Sequence, residues 1–401
     1  MKNNWTGGQY SVFRFLFGVT LFVYFIYSSI WSKAGLSGKG MTPVTDFSPA
    51  LVVWFWIASA FALALAVGCR DRLAAILMML VLAGLGLVGW PPLASRLDLH
   101  YSFLLVGWML LAHAFMPSAP YGSASAYNRA DPGGGWRMPP GLFLASWIVL
   151  ALVYWSGAQP RPMSAFWMTG DLIQHVLNDP LARDWFLRDI VLGFPTIILQ
   201  ILSWFFGVAA LLFAPLCLLK WLHPWLWSIM LSVQIGIGFF LNLPELTIPM
   251  LLFHMFTFNP LWLKPISLTG ATVFFDGTCA LCHGCVRFLL SEEPAGTLKF
   301  SPLQGTLYAT TVSEAQRQDL GDSFVVVTPD GKMLSEADAA IYLLNAIGGL
   351  WRLLSHGMKL VPPRLRNWAY HAVGNRRFRI FGAKTDLCPL TPPEMKDRIL
   401  I

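Results

Sequence analysis

The sequence predicts a polytopic α-helical membrane domain followed by a small α/β domain. Hydrophobic residues make up 56% of the 401 residues and charged residues only 12%, whereas soluble domains carry about 25% charged residues. Long apolar runs fill the first two thirds of the chain, and from Lys264 onward charged residues and turn residues become frequent. The change predicts a membrane domain over residues 1–264 and a soluble domain over residues 270–401.

The apolar runs are long enough to cross a hydrocarbon layer of about 30 Å as helices. They lie near residues 12–31, 50–68, 73–90, 99–116, 141–157, 194–219, 225–243 and 246–263. Some of them can be re-entrant, so six to eight spans are expected. The first run is too long for a signal peptide and lacks a small-residue cleavage site, which predicts a retained anchor in an integral, multi-pass protein.

The C-terminal segment alternates short apolar strands with helical patterns. Thr272–Phe275, Leu298–Pro302 and Ser323–Thr328 are the predicted strands, and helices are predicted at about 312–320 and 336–347. This βαβαβ-like order with a final helix is typical of a layered α/β domain.

Two cysteines spaced i, i+3 follow the first of these strands, after the tight turn Asp276–Gly277. A thiol in the first turn of a helix lies near unsatisfied N–H groups and the positive end of the dipole, which favour the thiolate. We expect Cys279 to be the exposed attacking sulfur and Cys282 to resolve the mixed disulfide. A strand leading into a CxxC helix within a βαβ pattern predicts a thioredoxin-like redox site.

Two neighbours of this dithiol allow more than one interpretation. Asp276 can accept a proton, fix the turn that presents Cys279, or only form an Asp-Gly turn. A carboxylate there would also raise the pKa of the thiol. His283 can lower a thiol pKa when it is protonated, or be an inactive residue on the helix surface.

Two further cysteines leave a metal site open. Cys285 extends the motif to CxxCxxC, and with Cys388 it could complete a site for zinc or an iron–sulfur cluster. Alternatively, Cys285 is a buried small hydrophobic residue or an accessory redox thiol. Cys388 is either a further redox partner or a residue of the C-terminal tail.

The soluble segment resembles the DCC family of thiol-disulfide oxidoreductases, named for an Asp-x-x-Cys-x-x-Cys signature. Asp276–Cys282 carries that signature. The resemblance continues through Phe300–Gln304, Ser323–Val327, Pro363–Tyr370 and Asn375–Gly382. It implies a thioredoxin-like fold and disulfide exchange, with Cys279 and Cys282 as the dithiol, Asp276 beside them and no bound cofactor.

The membrane segment resembles the HTTM family, relatives of the membrane domains of vitamin K-dependent γ-carboxylases. Ser11–Gly18, Tyr154–Gly157 and Phe166–Gly170 carry this resemblance. The family often has a lysine after Tyr-x-x-Ser-Gly, where this chain has Ala158–Pro162. Arg161 stays protonated and cannot act as a base, which argues against carboxylation.

Ionisable residues within apolar helices are further candidates, because hydrocarbon penalises them. His113 and His254 could bind a quinone or ligate haem, or could be hydrogen-bonded interhelical histidines. The basic run Asn375–Arg379, with Phe378 and Phe381 interleaved, is either a solvated face or a face on the membrane. Basic residues of the soluble domain favour its cytoplasmic placement, and the net charge of +7 suits a membrane surface without requiring nucleic acid.

Two function classes follow from the sequence. The first is a membrane-anchored thiol-disulfide oxidoreductase that acts on a disulfide-containing client or redox partner protein, with a lipid-soluble ligand as a further partner. The second is a membrane binding or transport protein whose C-terminal domain binds metal or senses redox state. Bound metal or the absence of thiol turnover would favour the second class.

Overall fold

A computed structural model of the chain describes residues 2–34, 49–87, 97–127, 129–157, 164–293, 295–320, 323–383 and 393–400. Contacts between residues divide the chain into two compact units. The helical unit contains residues 1–2, 13–116 and 139–258, and the mixed unit contains residues 3–12, 117–138 and 259–401. The sequence-based division at residues 264 and 270 does not anticipate that segments 3–12 and 117–138 group with the C-terminal residues.

The helical unit is built largely from apolar helices. The helices up to residue 258 are α1 (Gly7–Ala34), α2 (Pro49–Val67), α3 (Asp71–Leu87), α4 (Leu97–Ala114), α5 (Pro140–Gly157), α6 (Ser164–Thr169), α7 (Leu172–Leu177), α8 (Phe186–Leu192), α9 (Thr196–Leu216), α10 (His223–Phe240) and α11 (Pro244–Thr257). Each of the eight predicted apolar runs forms one of the longer helices.

Three helices in the described part of the chain are long and apolar enough to cross a membrane. They are Gly7–Ile30, Pro140–Gly157 and Thr196–Leu216. Two further apolar segments, Leu51–Val67 and Ser102–Ala114, are shorter. The chain therefore contains helices that suit a bilayer, and the count of six to eight spans stays a prediction.

The long helices of the helical unit carry apolar side chains on their exposed faces as well as in the core. Phe13, Phe213 and Phe253 are fully buried, while Leu80 and Ile201 are large apolar side chains with more than half of their surface exposed. A helix that is apolar all round suits hydrocarbon on its outer side rather than water.

The mixed unit contains a four-stranded sheet with the strand order β2-β1-β3-β4. Its strands are β1 (Thr272–Phe275), β2 (Lys299–Pro302), β3 (Val325–Val327) and β4 (Met333–Ser335). Its helices after α11 are α12 (Ala280–Glu292), α13 (Thr306–Thr311), α14 (Glu314–Leu320), α15 (Glu336–Ile347), α16 (Gly349–Leu360), α17 (Pro363–Gly374) and α18 (Arg377–Phe381). The predicted strands and the helix at 336–347 are confirmed.

The sheet differs from the predicted βαβαβ order in two ways. Strands β1 and β2 are parallel, as a βαβ unit requires, but β3 pairs antiparallel with β1, and β4 pairs antiparallel with β3. Strand β4 was not predicted, because its three residues after the turn Pro329–Gly331 are too few to show an alternating pattern. The helix predicted at about 312–320 corresponds to α14 (Glu314–Leu320), and the short helix α13 (Thr306–Thr311) before it was not predicted.

Alternating side chains of β1 pack on the two faces of the sheet, which fixes α12 beside it. Val273 and Phe275 face one cluster that includes Val286 of α12 and Leu343 of α15. Phe274 faces a second cluster with Tyr308. Successive strand residues point to opposite faces, so burial on both sides holds β1 in one register.

The C-terminal end of α12 is joined to the N-terminal segment through the buried carboxylate of Glu292. This carboxylate accepts hydrogen bonds from Gly8 N at 2.9 Å, from Trp351 Nε1 at 2.7 Å and from the Thr6 hydroxyl. A Cβ atom at Gly8 would lie 2.6 Å from the Glu292 carboxylate carbon, so glycine is required for this approach. Burial raises the pKa of Glu292 despite these hydrogen bonds.

The raised pKa predicts a pH dependence of stability. A glutamate in the unfolded chain has a pKa of about 4.3. Between that pH and the higher folded pKa, the folded state holds a proton that the unfolded state has released, so the free energy of unfolding falls as the pH rises. We expect the thermal midpoint of the detergent-solubilised chain to fall over this window in the wild type and to stay level in Glu292→Gln.

The matched control is Glu314→Gln, which removes an exposed carboxylate from α14. This variant should keep the wild-type pH profile. The same decline in Glu292→Gln as in the wild type would contradict the assignment.

Candidate functional site

The dithiol lies where β1 ends and α12 begins. After Phe275, the Asp276 carboxylate Oδ1 accepts hydrogen bonds from Thr278 N at 2.9 Å and from Thr278 Oγ1 at 2.7 Å, which closes the turn. Cys279 is the N-cap of α12 and has extended backbone angles. Its Sγ accepts a hydrogen bond from Cys282 N at 3.4 Å, so the thiol replaces the usual capping oxygen.

Asp276 also binds two residues that are distant in sequence. Gln304 Nε2 donates to Asp276 Oδ1 at 3.1 Å, and Gly277 N donates to Gln304 Oε1 at 3.0 Å. Arg377 Nη2 of α18 forms an ion pair with Asp276 Oδ2 at 3.1 Å, and its guanidinium lies 4.7 Å from the Phe378 ring centroid. The carboxylate therefore joins the β1 turn, the loop after β2 and helix α18.

These donors keep the Asp276 carboxylate ionised. Burial raises the pKa of Asp276, but hydrogen bonds from Thr278, Arg377 and Gln304 outweigh burial and hold it below its ordinary value. A carboxylate with four donors is a poor proton acceptor for a thiol. Of the roles considered for Asp276, the geometry favours fixing the turn.

The prediction that Cys279 is exposed is wrong, because Cys279 is fully buried. The segment after α18 lies across it, since Cys279 pairs antiparallel with Ala383 and Ala280 N donates to Gly382 O at 3.3 Å. Cys282 is partly exposed. Burial, and then the neighbouring Cys279 thiol, raise the pKa of Cys282.

Cys285 and His283 are placed differently from the sequence-based interpretation. Cys285 is exposed, so its interpretation as a buried small hydrophobic residue is wrong. His283 is buried rather than on the surface, because its Nε2 donates to Gly277 O at 2.8 Å and its ring meets Phe275 edge to face. The imidazole thus ties α12 back to the turn before Cys279.

Among the described residues, no group of three or more His, Cys, Asp or Glu side chains is arranged to hold a metal ion. Cys279, Cys282 and Cys285 are free thiols in this part of the chain. Cys388 and the stretch Ala158–Pro162 lie outside the described residues. The proposed role of Cys388 as a metal ligand or redox partner therefore stays a prediction.

In the helical unit, His254 is buried in a hydrogen-bonded cluster. Its Nδ1 donates to Met250 O at 2.9 Å, so its Nε2 accepts from the Tyr154 hydroxyl at 3.0 Å. Trp227 Nε1 donates to His254 O at 3.0 Å. These contacts support the interpretation of His254 as an interhelical hydrogen-bonding residue.

His113 belongs to a second cluster of the helical unit. Its Nε2 lies 3.6 Å from Asp71 Oδ2, and Arg14 Nη1 lies 3.9 Å from the same oxygen. All three side chains are at most 5% exposed. Three ionisable groups are thus brought together from α1, α3 and α4 within an apolar environment.

Sequence reasoning missed Gln304 and Arg377 as parts of the dithiol site. Gln304 follows β2, and strand ends of a parallel βαβ unit meet at one edge, so its position was a usable signal. Arg377 gave no such signal, because it stands in a basic run 101 residues after Asp276. Arg14 and Asp71 were likewise not predicted as partners of His113.

Comparison with known proteins places this site in a family. Residues 273–383 match the model of the DCC1-like thiol-disulfide oxidoreductases. An uncharacterized protein of Bacillus subtilis, YuxK, is 33% identical over 134 residues, which are 33% of this chain and 96% of that protein. A chloroplast DCC family protein of Arabidopsis thaliana is 25% identical over 118 residues, which are 29% of this chain and 68% of that protein.

No solved structure matches the chain. The bacterial relative is matched over nearly its whole length. The residues that match the family model, 273–383, include three of the four residues of β1, the CxxC turn, the other three strands and α18. Through its C-terminal part, the chain belongs to the DCC1-like thiol-disulfide oxidoreductase family.

Proposed function

We propose that the protein is a membrane-anchored thiol-disulfide oxidoreductase in which Cys279 and Cys282 are the reactive dithiol. The observation that carries the proposal is the position of Cys279 at the N-cap of α12, with Cys282 N donating to its sulfur. This hydrogen bond supplies a donor to the sulfur that bears negative charge during exchange. The family supports disulfide exchange as the reaction.

The exchange takes place in two steps. The Cys279 thiolate attacks one sulfur of a client disulfide, so a mixed disulfide forms and the other client sulfur leaves as a thiolate. The Cys282 thiolate then attacks the Cys279 sulfur, which releases the second client thiolate and leaves a Cys279–Cys282 disulfide. Two electrons pass from the dithiol to the client, and an external dithiol reductant restores the enzyme.

Access to Cys279 requires a movement of the C-terminal segment. The Cys279 sulfur is buried and Ala383 pairs with its backbone. A client that forms a mixed disulfide at Cys279 must therefore displace Gly382 and Ala383. Arg377, which is on the helix before this segment, anchors its near end through Asp276.

The helical unit supplies the membrane anchor in this proposal. We infer a multi-pass, HTTM-like bundle of six to eight spans, with the dithiol on the cytoplasmic side. The candidate spans and the apolar outer faces support the bundle, and the excess of basic residues in the C-terminal unit supports the orientation. A dithiol on that side rests reduced between turnovers.

A second candidate function is favoured by the cluster of Arg14, Asp71 and His113. Buried ionisable groups in apolar helices are costly and often mark a ligand or ion site. In this alternative, the helical unit binds or transports a ligand, such as a lipid-soluble molecule. The C-terminal unit would then sense redox state or bind metal.

Redox titration of the purified full chain distinguishes the two candidates. Across glutathione buffers of graded potential, Cys279 and Cys282 should interconvert as one two-electron couple, with about 30 mV per tenfold change in the ratio. Mass spectrometry after alkylation measures the ratio, and metal content is measured on the same sample. Stoichiometric zinc or iron that protects these thiols would contradict the oxidoreductase proposal.

Cysteine variants test which sulfur attacks the client and which resolves the mixed disulfide. Cys279→Ser should reduce the turnover of a disulfide substrate to background while the thermal midpoint stays near that of the wild type. Cys282→Ser should accumulate the mixed disulfide at Cys279, because the resolving thiol is missing. The matched control is Cys285→Ser, which removes an exposed thiol of the same helix and should leave turnover intact.

The outcome at Cys279 separates a redox role from a structural role. If Cys279→Ser unfolds the domain, the cysteine is needed for folding. If the mixed disulfide forms at Cys282 in Cys279→Ser, the assignment of the attacking sulfur is reversed.

Asp276→Asn tests the carboxylate beside the dithiol. The negative charge of Asp276 contributes to the raised pKa of Cys282, so its removal should lower that pKa. Loss of the ion pair with Arg377 should cost about 1.5–3 kcal/mol of stability, because hydrogen bonds to a charged group are lost. The pH dependence of alkylation measures the first effect, and chemical denaturation measures the second.

The control is Asp397→Asn, which removes an exposed carboxylate from the same unit. This variant should change neither the pKa of Cys282 nor the stability of the unit. A loss of turnover in Asp276→Asn with an unchanged alkylation profile would leave Asp276 with a positional role only.

A further inference from the structure

The last three helices of the mixed unit carry an exposed face that is both apolar and basic. We call this face the α16–α18 surface. Its large exposed hydrophobic residues include Leu353, Leu360, Leu365, Trp368, Ile380 and Phe381. Leu360 is 87% exposed and Trp368 67%, so these are not side chains at the edge of a core. An apolar patch of this extent marks an interaction site.

Helix α17 exposes its apolar side, whereas a helix of a soluble protein usually buries that side against the core. Arg366 Nη2 pairs with Asp338 Oδ1 at 2.6 Å, and the Tyr370 hydroxyl accepts a hydrogen bond from Phe324 N at 3.0 Å. The polar side of the helix thus faces α15 and the residue just before β3. Leu365, Trp368 and Val373, which are spaced i, i+3 and i+8 on one stripe, are exposed instead.

The side chains with a permanent charge in helices α16, α17 and α18 are all basic. Residues 349–383 contain seven Lys and Arg residues and no Asp or Glu. Arg366 and Arg377 pair with acids of the unit, whereas Lys359, Arg364, Arg376 and Arg379 are exposed beside the apolar stripe. The acids that face α17 are Glu336 and Asp338 of α15, and they contact His371 and Arg366.

We propose that the α16–α18 surface docks on the headgroup region of an anionic phospholipid bilayer. Basic residues that flank an apolar stripe containing tryptophan suit this interface, because the apolar residues enter the acyl boundary and the cations meet lipid phosphates. The chain carries its own helices that suit a bilayer, so a membrane surface is always within reach. This inference rests on the proposed membrane anchoring and is independent of the thiol chemistry.

Docking would also affect the dithiol site, because α18 is part of the α16–α18 surface and of that site. Arg377 of α18 holds Asp276, while Ile380 and Phe381 of the same short helix are exposed. The segment Gly382–Ala383, which covers Cys279, follows directly. A bilayer contact at α18 therefore places the dithiol next to the membrane surface, where it meets clients whose disulfides lie close to the bilayer.

The test places an environment-sensitive fluorescent amino acid at position 368 of the full chain in lipid nanodiscs. In discs that contain phosphatidylglycerol, the emission should shift to the blue and be quenched by lipids brominated along the acyl chain. In discs of phosphatidylcholine alone, quenching should be much weaker. A probe at Thr310, which is exposed on α13, should be unquenched in both kinds of disc.

A matched pair of charge variants tests the electrostatic part. Lys359→Gln/Arg364→Gln should lower the ratio of docked to undocked protein about 30-fold, since each basic residue near an anionic surface contributes roughly a factor of five. Lys332→Gln/Lys396→Gln removes two exposed lysines elsewhere on the unit and should leave quenching unchanged.

Three outcomes would overturn the proposal. They are a probe that stays in water in both lipids, quenching that ignores lipid charge and the Lys359/Arg364 substitutions, and a blue shift without quenching by brominated lipid. The last would mean that protein, either a second copy or a client, covers the surface. The midpoint potential of Cys279 and Cys282, measured in the same discs, reports separately on the thiol proposal.

Discussion

The dithiol site depends on the carboxylate of Asp276. Its oxygens accept hydrogen bonds from Thr278, Gln304 and Arg377, so one charged group joins the end of β1, the loop after β2 and helix α18. A buried carboxylate is stable only with such donors, because water is excluded from it. The position of Cys279 follows from this arrangement, since it is the third residue after Asp276 and caps the helix that follows.

The same arrangement explains why the sulfur at the helix N-terminus is covered. Arg377 holds α18 against the turn, and the next residues, Gly382 and Ala383, lie along Cys279 and Ala280. The chain thus supplies a strand-like segment where a client backbone could pair with Cys279. Partly exposed Cys282 and exposed Cys285 lie on the following turns of α12.

The hydrogen-bond partners of buried polar groups differ between the two units. In the mixed unit, the carboxylates of Asp276 and Glu292 collect donors from segments far apart in sequence. In the helical unit, His254 and Tyr154 satisfy each other within apolar surroundings, as interhelical hydrogen bonds commonly do. The cluster of Arg14, Asp71 and His113 instead gathers three ionisable side chains, with Asp71 Oδ2 lying 3.6 Å from His113 Nε2 and 3.9 Å from Arg14 Nη1.

The sequence by itself determined the helices at the apolar runs, strands β1 to β3, α15, and the start of α12 at the CxxC motif. These features depend on local patterns, namely apolar periodicity, turn residues and the position of the cysteines, and such patterns persist whatever the chain packs against. Only the tertiary structure decided that Cys279 is buried, that Cys285 is exposed and that Arg377 pairs with Asp276. These outcomes depend on where α18 and residues 382–383 lie, about a hundred residues beyond the motif, and no local pattern encodes such a contact.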